Sequence, residues 1–208
     1  IIELINSKKS MLILVNEDEF KTKETKFQKS SNVFLKCQNP RLEFIKILRN
    51  FTINEKLNIL DTRDKNIYIH SSSKVHESAV IGPHTSIGPN CIIGENVVIG
   101  GGNHIVENVE IKSNTIIGYG NVIGGIGFGI EWDVPGVRKK IKTVGVALKM
   151  PHFGGVIIDS NCDIASLNTI NAGAIEPTYL GKNVHMDDNI HIAHNCSIGD
   201  SVSITAGV

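Results

Sequence analysis

Ala79-Val80-Ile81-Gly82-Pro83-His84-Thr85-Ser86-Ile87-Gly88-Pro89-Asn90-Cys91-Ile92-Ile93-Gly94 carries one pattern three times: a small residue, a spacer, an isoleucine, then glycine. Counting in sixes from Ile69 gives Val75, Ile81, Ile87, Ile93, Ile99, Ile105, Ile111, Ile117 and Ile123, all aliphatic. The register resumes at Ile158, Ile164 and Ile170. After a four-residue expansion it continues through Leu180, Met186, Ile192, Ile198 and Ile204. Two residues before the anchor the side chain is usually small or β-branched, for example Ala79, Thr85, Val97, Val109 and Thr115.

A period of six fits no amphipathic helix, but as a multiple of two it holds the anchor on one face of extended chain. Three strand-plus-corner units close a triangular coil of ~18 residues, and coils stacked ~4.8 Å apart pair each strand with its neighbours above and below. The anchors then fill a continuous aliphatic column, as in other solenoids. The glycine after the anchor is expected to turn the corner through a positive φ. Spacing leaves the hand of the coil open, and parallel crossovers are ordinarily right-handed.

The rest of the composition agrees with this frame. Hydrophobic residues make up 41% of the chain and aromatics only 5%, with 20 glycines, so the core must be aliphatic and the turns many. Lysine plus arginine equals aspartate plus glutamate at 21 each, which gives no electrostatic case for nucleic acid. The longest apolar runs, such as Met11–Val15, fall far short of the ~20 residues that cross a bilayer. No secretory signal opens the chain. Of the four cysteines, Cys91, Cys162 and Cys196 occupy the inward position two before an anchor, and Cys37 lies ahead of the coil. They suit small buried hydrophobes in a reduced, cytosolic protein.

Residues 1–66 follow a different pattern, predicting a small α/β domain ahead of a 67–208 coil. Met11–Val15 and Val33–Cys37 have strand character, the polar Lys21–Ser31 stretch suits a loop, and Asn39-Pro40 opens a helix over Arg41–Phe51. The chain opens on Ile1-Ile2 and ends inside a repeat, so it is expected to be a piece of a longer polypeptide. It would then lack the domain's first strands and the last part of the coil. Residues 125–155 interrupt the register and contain Trp132, Pro135, Pro151 and the basic residues Arg138, Lys139, Lys140 and Lys142. A loop of this length inside a solenoid is usually functional. The basic cluster suits either a solvated surface or the grip of an acidic carrier or phosphate.

His191-Ile192-Ala193-His194-Asn195-Cys196 holds the best candidates for chemistry. Ile192 is an inward anchor, so His191 and His194 must point outward near a corner. An outward imidazole there is either surface polarity or a base for an amine or hydroxyl, since histidine titrates near neutrality.

This segment resembles the active-site segment of the hexapeptide-repeat acyltransferases of lipid A biosynthesis, which act on UDP-linked amino sugars. The wider match is to the UDP-3-O-acylglucosamine N-acyltransferase family. Asn39-Pro40-Arg41, Gly127-Phe128-Gly129, Met150-Pro151-His152-Phe153-Gly154-Gly155-Val156 and Asn168-Thr169-Ile170 with its expanded turn resemble it in order. The resemblance implies a mainly-β chain, a left-handed parallel β-helix of hexapeptide repeats preceded by the small α/β domain, which would help bind the nucleotide. It implies a bacterial cytoplasmic homotrimer with active sites between subunits, no cofactor, and a 3-hydroxyacyl donor on acyl carrier protein. His194 would be the general base, with His191 and Asn195 in substrate binding. The oxyanion donor would come from the next coil, near position 212, so the 208 residues alone are expected to be inactive. Three features depart from the family: Asn171-Ala172 stands where aspartate-arginine is usual, His191 replaces a common glutamine, and the 130–149 loop is longer and more basic.

Other functions remain to be weighed. An acetyl-CoA-dependent sugar acetyltransferase differs only in donor. A γ-class carbonic anhydrase would need zinc, but His185 and His191 are six apart and must lie on different faces, so His104 or a second subunit would have to contribute. An ice-binding solenoid would need a flat threonine array, which the outward positions lack. Gly124–Gly129 lacks the G-x-G-x-x-G spacing and the following helix of a dinucleotide loop.

Overall fold

The computed structural model describes residues 12–27, 32–47, 66–133 and 146–208. The basic cluster at 138–142 and the 48–51 end of the expected helix lie outside them. The chain divides into two compact units, Ile1–Leu60 and Asp61–Val208.

In the first unit, strand β1 (Leu12–Asn16) pairs in parallel with β2 (Val33–Cys37), Leu12 opposite Val33 through Asn16 opposite Cys37. Helix α1 (Glu17–Phe27) connects them, and Val15, Phe20 and Phe34 pack together, the two phenyl rings edge-on at 6.0 Å. The helix corrects the expected loop at Lys21–Ser31, at least as far as Phe27. Its start is specified locally: Asn16 Oδ1 accepts the Asp18 and Glu19 N–H groups at 3.0 and 3.3 Å. Glu17, Asp18 and Glu19 also oppose the helix dipole. Among the described side chains of this polar helix Phe20 is the buried one, so hydrophobic periodicity does not reveal it. A second helix, α2, occupies residues 40–47. Asn39 caps it as its sequence suggests, the Leu42 N–H donating to Asn39 Oδ1 at 3.1 Å.

The second unit is the coil. Three six-stranded parallel sheets form its faces, each strand only two to four residues long. One column of anchors runs Ile69, Ile87, Ile105, Ile123, Ile170, Ile192. A second runs Val75, Ile93, Ile111, Ile158, Leu180, Ile198. The third runs Ile81, Ile99, Ile117, Ile164, Met186, Ile204. This is the sixfold register of the sequence, anchor by anchor. Twelve large side chains, from Ile87 to Ile190, are buried to below 2% exposure, which makes the column the dominant source of stability. Cys91 and Cys162 lie inside it and Cys196 packs on its edge. Burial pushes the Cys91 and Cys162 thiols up, away from reactivity.

The corners are made differently from expectation. Asn90, Asn96, Asn108, Asn114, Asn161, Asn183, Asn189 and Asn195, three residues after their anchors, carry φ between 53° and 61°. Asparagine tolerates this left-handed region better than other non-glycine residues. At Gly82, Gly88, Gly94, Gly100 and Gly118 the glycine directly after the anchor serves close stacking instead, whereas Gly124, after Ile123, does take the expected positive φ at 87°. A Cβ on Gly82 would lie 2.5 Å from the Gly100 carbonyl carbon, and one on Gly100 would lie 2.5 Å from the Gly118 oxygen.

A polar ladder runs inside one corner. Asn103 Oδ1 accepts both N–H groups offered by Asn121, Asn121 Oδ1 accepts the Asn168 N–H, and Asn168 Oδ1 accepts the Ile190 N–H, at 2.7–3.0 Å. All three side chains are fully buried. Their bonds to successive backbones satisfy groups that the tight corner leaves unpaired.

The coil interruption is stitched by an ion pair. Asp159 is buried and its Oδ2 accepts from Lys112 Nζ and from Tyr179 O–H, each at 3.0 Å, while its Oδ1 takes the Ser160 N–H at 2.7 Å. Burial pushes this carboxyl up, but the three hydrogen bonds and the Lys112 charge outweigh it and hold the group at about 2. A depressed carboxylate stabilises the fold above its ordinary pKa, and that contribution fades as pH falls through the folded value. Asp159→Asn is therefore expected to cost about 1–2 kcal/mol at pH 7, the half-exposed Lys112 trimming the figure by solvent screening. In urea titrations the gap from wild type should narrow between pH 4 and pH 2. A gap that stays constant over that range would show that the charge contributes nothing.

Candidate active site

Two breaks in the sixfold register meet in space. The first leaves the coil after the strand Val122–Gly125 and returns at Val156–Ile158. Between them, strands Ile130–Asp133 and Val146–Lys149 form an antiparallel hairpin, Ile130 opposite Lys149. The second is the expansion between Asn171 and Thr178. It docks on the returning arm: Phe153 N–H donates to Ala174 O at 3.0 Å and Gly154 N–H to Gly173 O at 2.9 Å. Local backbone bonding thus folds both excursions onto the same corner.

The corner that follows the strand His191–Ile192 lies against them. Ile192 is buried while His191 is exposed and His194 half-buried, so both imidazoles face outward as the anchor position requires. His191 Nδ1 sits 2.6 Å from Thr169 Oγ1, its neighbour one strand away. Asn195 adopts φ 60°. Its N–H donates to Thr178 Oγ1 at 3.0 Å and its Oδ1 accepts the Ala174 N–H at 2.7 Å. That second bond orients the carboxamide, leaving Nδ2 to donate to His194 Nδ1 at 3.0 Å. The neutral His194 ring accordingly holds its proton on Nε2 in this arrangement. Asn195 spends its polar groups on the expanded turn and on His194.

His152 completes the cluster, and sequence inspection did not single it out as a site residue. It was visible only as part of Met150–Val156, without a partner. On the returning arm its ring meets that of His194 edge-on, centroids 4.7 Å apart. It is 4% exposed; Nδ1–H donates to Met150 O at 2.9 Å, and Nε2 is buried with no hydrogen-bond partner. A buried unpaired acceptor costs about 1–3 kcal/mol. Gly127 supplies the room. A Cβ there would lie 2.6 Å from His194 Cδ2 and 2.8 Å from His152 Nε2.

Exposed apolar side chains adjoin these residues along the chain: Ile126 and Phe128 beside Gly127, Phe153 beside His152, and Ile175 beside Ala174. Phe128 and Ile175 are more than four-fifths exposed. An imidazole set among apolar surface can move a proton next to a hydrophobic substrate group. His185 lies on a different sheet from His191, and His104 is three strands from His191 on the shared sheet, ~14 Å away. A single chain therefore brings no two of these three to one metal.

Comparison with known proteins agrees with this architecture. A family model described as the GMPPB C-terminal domain matches residues 63–127. The UDP-N-acetylglucosamine O-acyltransferase of Moraxella catarrhalis RH4 superposes with TM-score 0.52 over 67% of this chain and 49% of its own, at 24% identity. The protein is a hexapeptide-repeat, left-handed parallel β-helix. Over part of its length it is homologous to UDP-3-O-acylglucosamine N-acyltransferases. That of Xanthomonas axonopodis pv. citri (strain 306) is 37% identical over 95 residues, 46% of this chain and 25% of the relative. That of Xylella fastidiosa (strain M12) is 38% identical over 85 residues, 41% and 22%. The matched stretch spans about a quarter of the length of these curated relatives. No helix among the described residues is long and apolar enough to cross a membrane.

Proposed function

We propose that this chain forms part of an N-acyltransferase that moves a 3-hydroxyacyl group from acyl carrier protein to the amine of a UDP-linked amino sugar. The observation that carries the proposal is the outward His194 imidazole, held by Asn195 and His152 at the corner where both register breaks converge. The apolar side chains beside it suit an acyl chain, and the relatives' names supply the sugar class. The amine nitrogen attacks the thioester carbonyl, His194 takes the amine proton, the C–S bond breaks and the C–N bond forms. The proton then leaves with the thiolate of the carrier. For His194 to accept at Nε2 its ring must adopt the other tautomer, which forfeits the Asn195 bond at a cost of about 1 kcal/mol. A backbone N–H from a neighbouring coil would stabilise the oxyanion. Assembly as a homotrimer would cover the apolar residues around the imidazoles, and the locale is the bacterial cytoplasm, where acyl carrier protein resides.

The test is a donor comparison on the complete gene product: 3-hydroxyacyl carrier protein and acetyl-CoA, each with UDP-linked amino sugars, products followed by mass spectrometry. Carrier-dependent amide formation is expected. Transfer from acetyl-CoA alone would make the protein a sugar acetyltransferase, and no transfer from either donor would overturn the acyltransferase reading.

A further inference from the structure

We propose that His152 is a positioning residue whose buried Nε2 lone pair steadies His194 as that ring takes up a proton. The inference rests on His194 acting as the base. Met150 O fixes the tautomer of His152: a carbonyl only accepts, so Nδ1 carries the proton and Nε2 presents a lone pair. That lone pair has no partner in the resting arrangement, although the side chain is 4% exposed. It also lies beside the ring of the base. His152 Nε2 and His194 Cδ2 are both within 3 Å of the single point that a Cβ on residue 127 would occupy, and the ring centroids are 4.7 Å apart.

When His194 becomes an imidazolium, its ring edge, Cδ2–H included, turns positive. An acceptor held beside that ring stabilises the charged form more than the neutral one, which is the differential interaction that catalysis requires. Because the lone pair is pre-oriented and dry, no solvent need reorganise as the charge appears. Among the described residues, His152 is the titratable side chain in ring contact with His194. Asn195, which takes its Nδ1, is uncharged. Gly127 belongs to the same device, since any side chain there would push the two rings apart.

Two substitutions separate this role from simple packing. His152→Gln can place Oε1 where Nε2 stood and so keeps an acceptor, whereas His152→Phe keeps a flat ring and removes it. Circular dichroism first checks that both variants retain the β-helix. In the carrier-dependent assay, His152→Phe is expected to lower kcat about ten-fold with KM unchanged, and His152→Gln to stay within about three-fold of wild type. The second readout needs no activity: the His194 ring resonance, followed by NMR against pH, should titrate at lower pH in His152→Phe than in wild type or His152→Gln. A phenylalanine variant that equals or exceeds the glutamine variant in NMR would overturn the inference, as would equal losses in both. Silence of the wild-type enzyme would sink the proposed function while leaving the NMR comparison decisive for His152.

Discussion

Replacing His194 with alanine is expected to lower kcat/KM for acyl transfer by about 10²–10⁴-fold, the usual contribution of a positioned acid–base group. The loss should fall mainly in kcat, because the imidazole acts on a proton that moves only in the transition state. The structure predicts little accompanying loss of stability, since His194 is half-buried on the outside of a corner and supports no core anchor. Steady-state kinetics and a thermal melt on the same preparation test both parts. A fall of less than three-fold would remove His194 from the chemistry. Asn195→Asp gives a companion result. Its carboxylate can keep the Ala174 bond and accept from His194 Nδ1–H, favouring the tautomer whose Nε2 is free, so activity should hold or rise.

The second large effect belongs to the column. Ile117 is 1% exposed, stacked between Ile99 and Ile164 in the middle of its sheet. Ile117→Ala removes buried methyl and methylene groups and leaves a cavity that the stiff strands above and below cannot collapse into. Such truncations cost about 2–5 kcal/mol. Ile116, next in the same strand, faces outward and is 37% exposed, so Ile116→Ala should cost well under 1 kcal/mol. Urea denaturation of the pair measures the difference. Equal midpoints for the two variants would contradict the inward–outward assignment. Because each coil contacts only its neighbours, the loss should also appear locally, as faster amide exchange in the strands of Ile99 and Ile164 before the rest of the coil.

The coil was legible because each anchor's role is set by its spacing alone. Every strand obeys a period-two rule and every corner repeats, so an aliphatic residue each sixth position fixes register, face and core together. The same logic placed His191 and His194 outside and sent His185 to another sheet. Helix α1 was not legible as a helix, since Asn16, an acidic first turn and the buried Phe20 specify it without an apolar stripe. The corner chemistry was assigned to the wrong residue. Glycine after the anchor and asparagine three after it both recur. Only the stacked backbones show that the first, Gly124 with its φ of 87° excepted, relieves crowding and that the second carries the positive φ.

The cluster around His194 marks the boundary. Sequence by itself determined the β-helix, its anchors, the two places where the register breaks, and the outward direction of His194. Tertiary structure alone decided that those breaks fold onto one another and bring His152, Gly127 and Ala174 to the His191–Asn195 corner. The tautomer of His194 and the unpaired Nε2 of His152 were likewise settled there. The physical reason is range. Periodic facing depends on neighbours a fixed number of residues away, whereas the site joins residue 127 to 152 and 194 through loop packing that no period encodes.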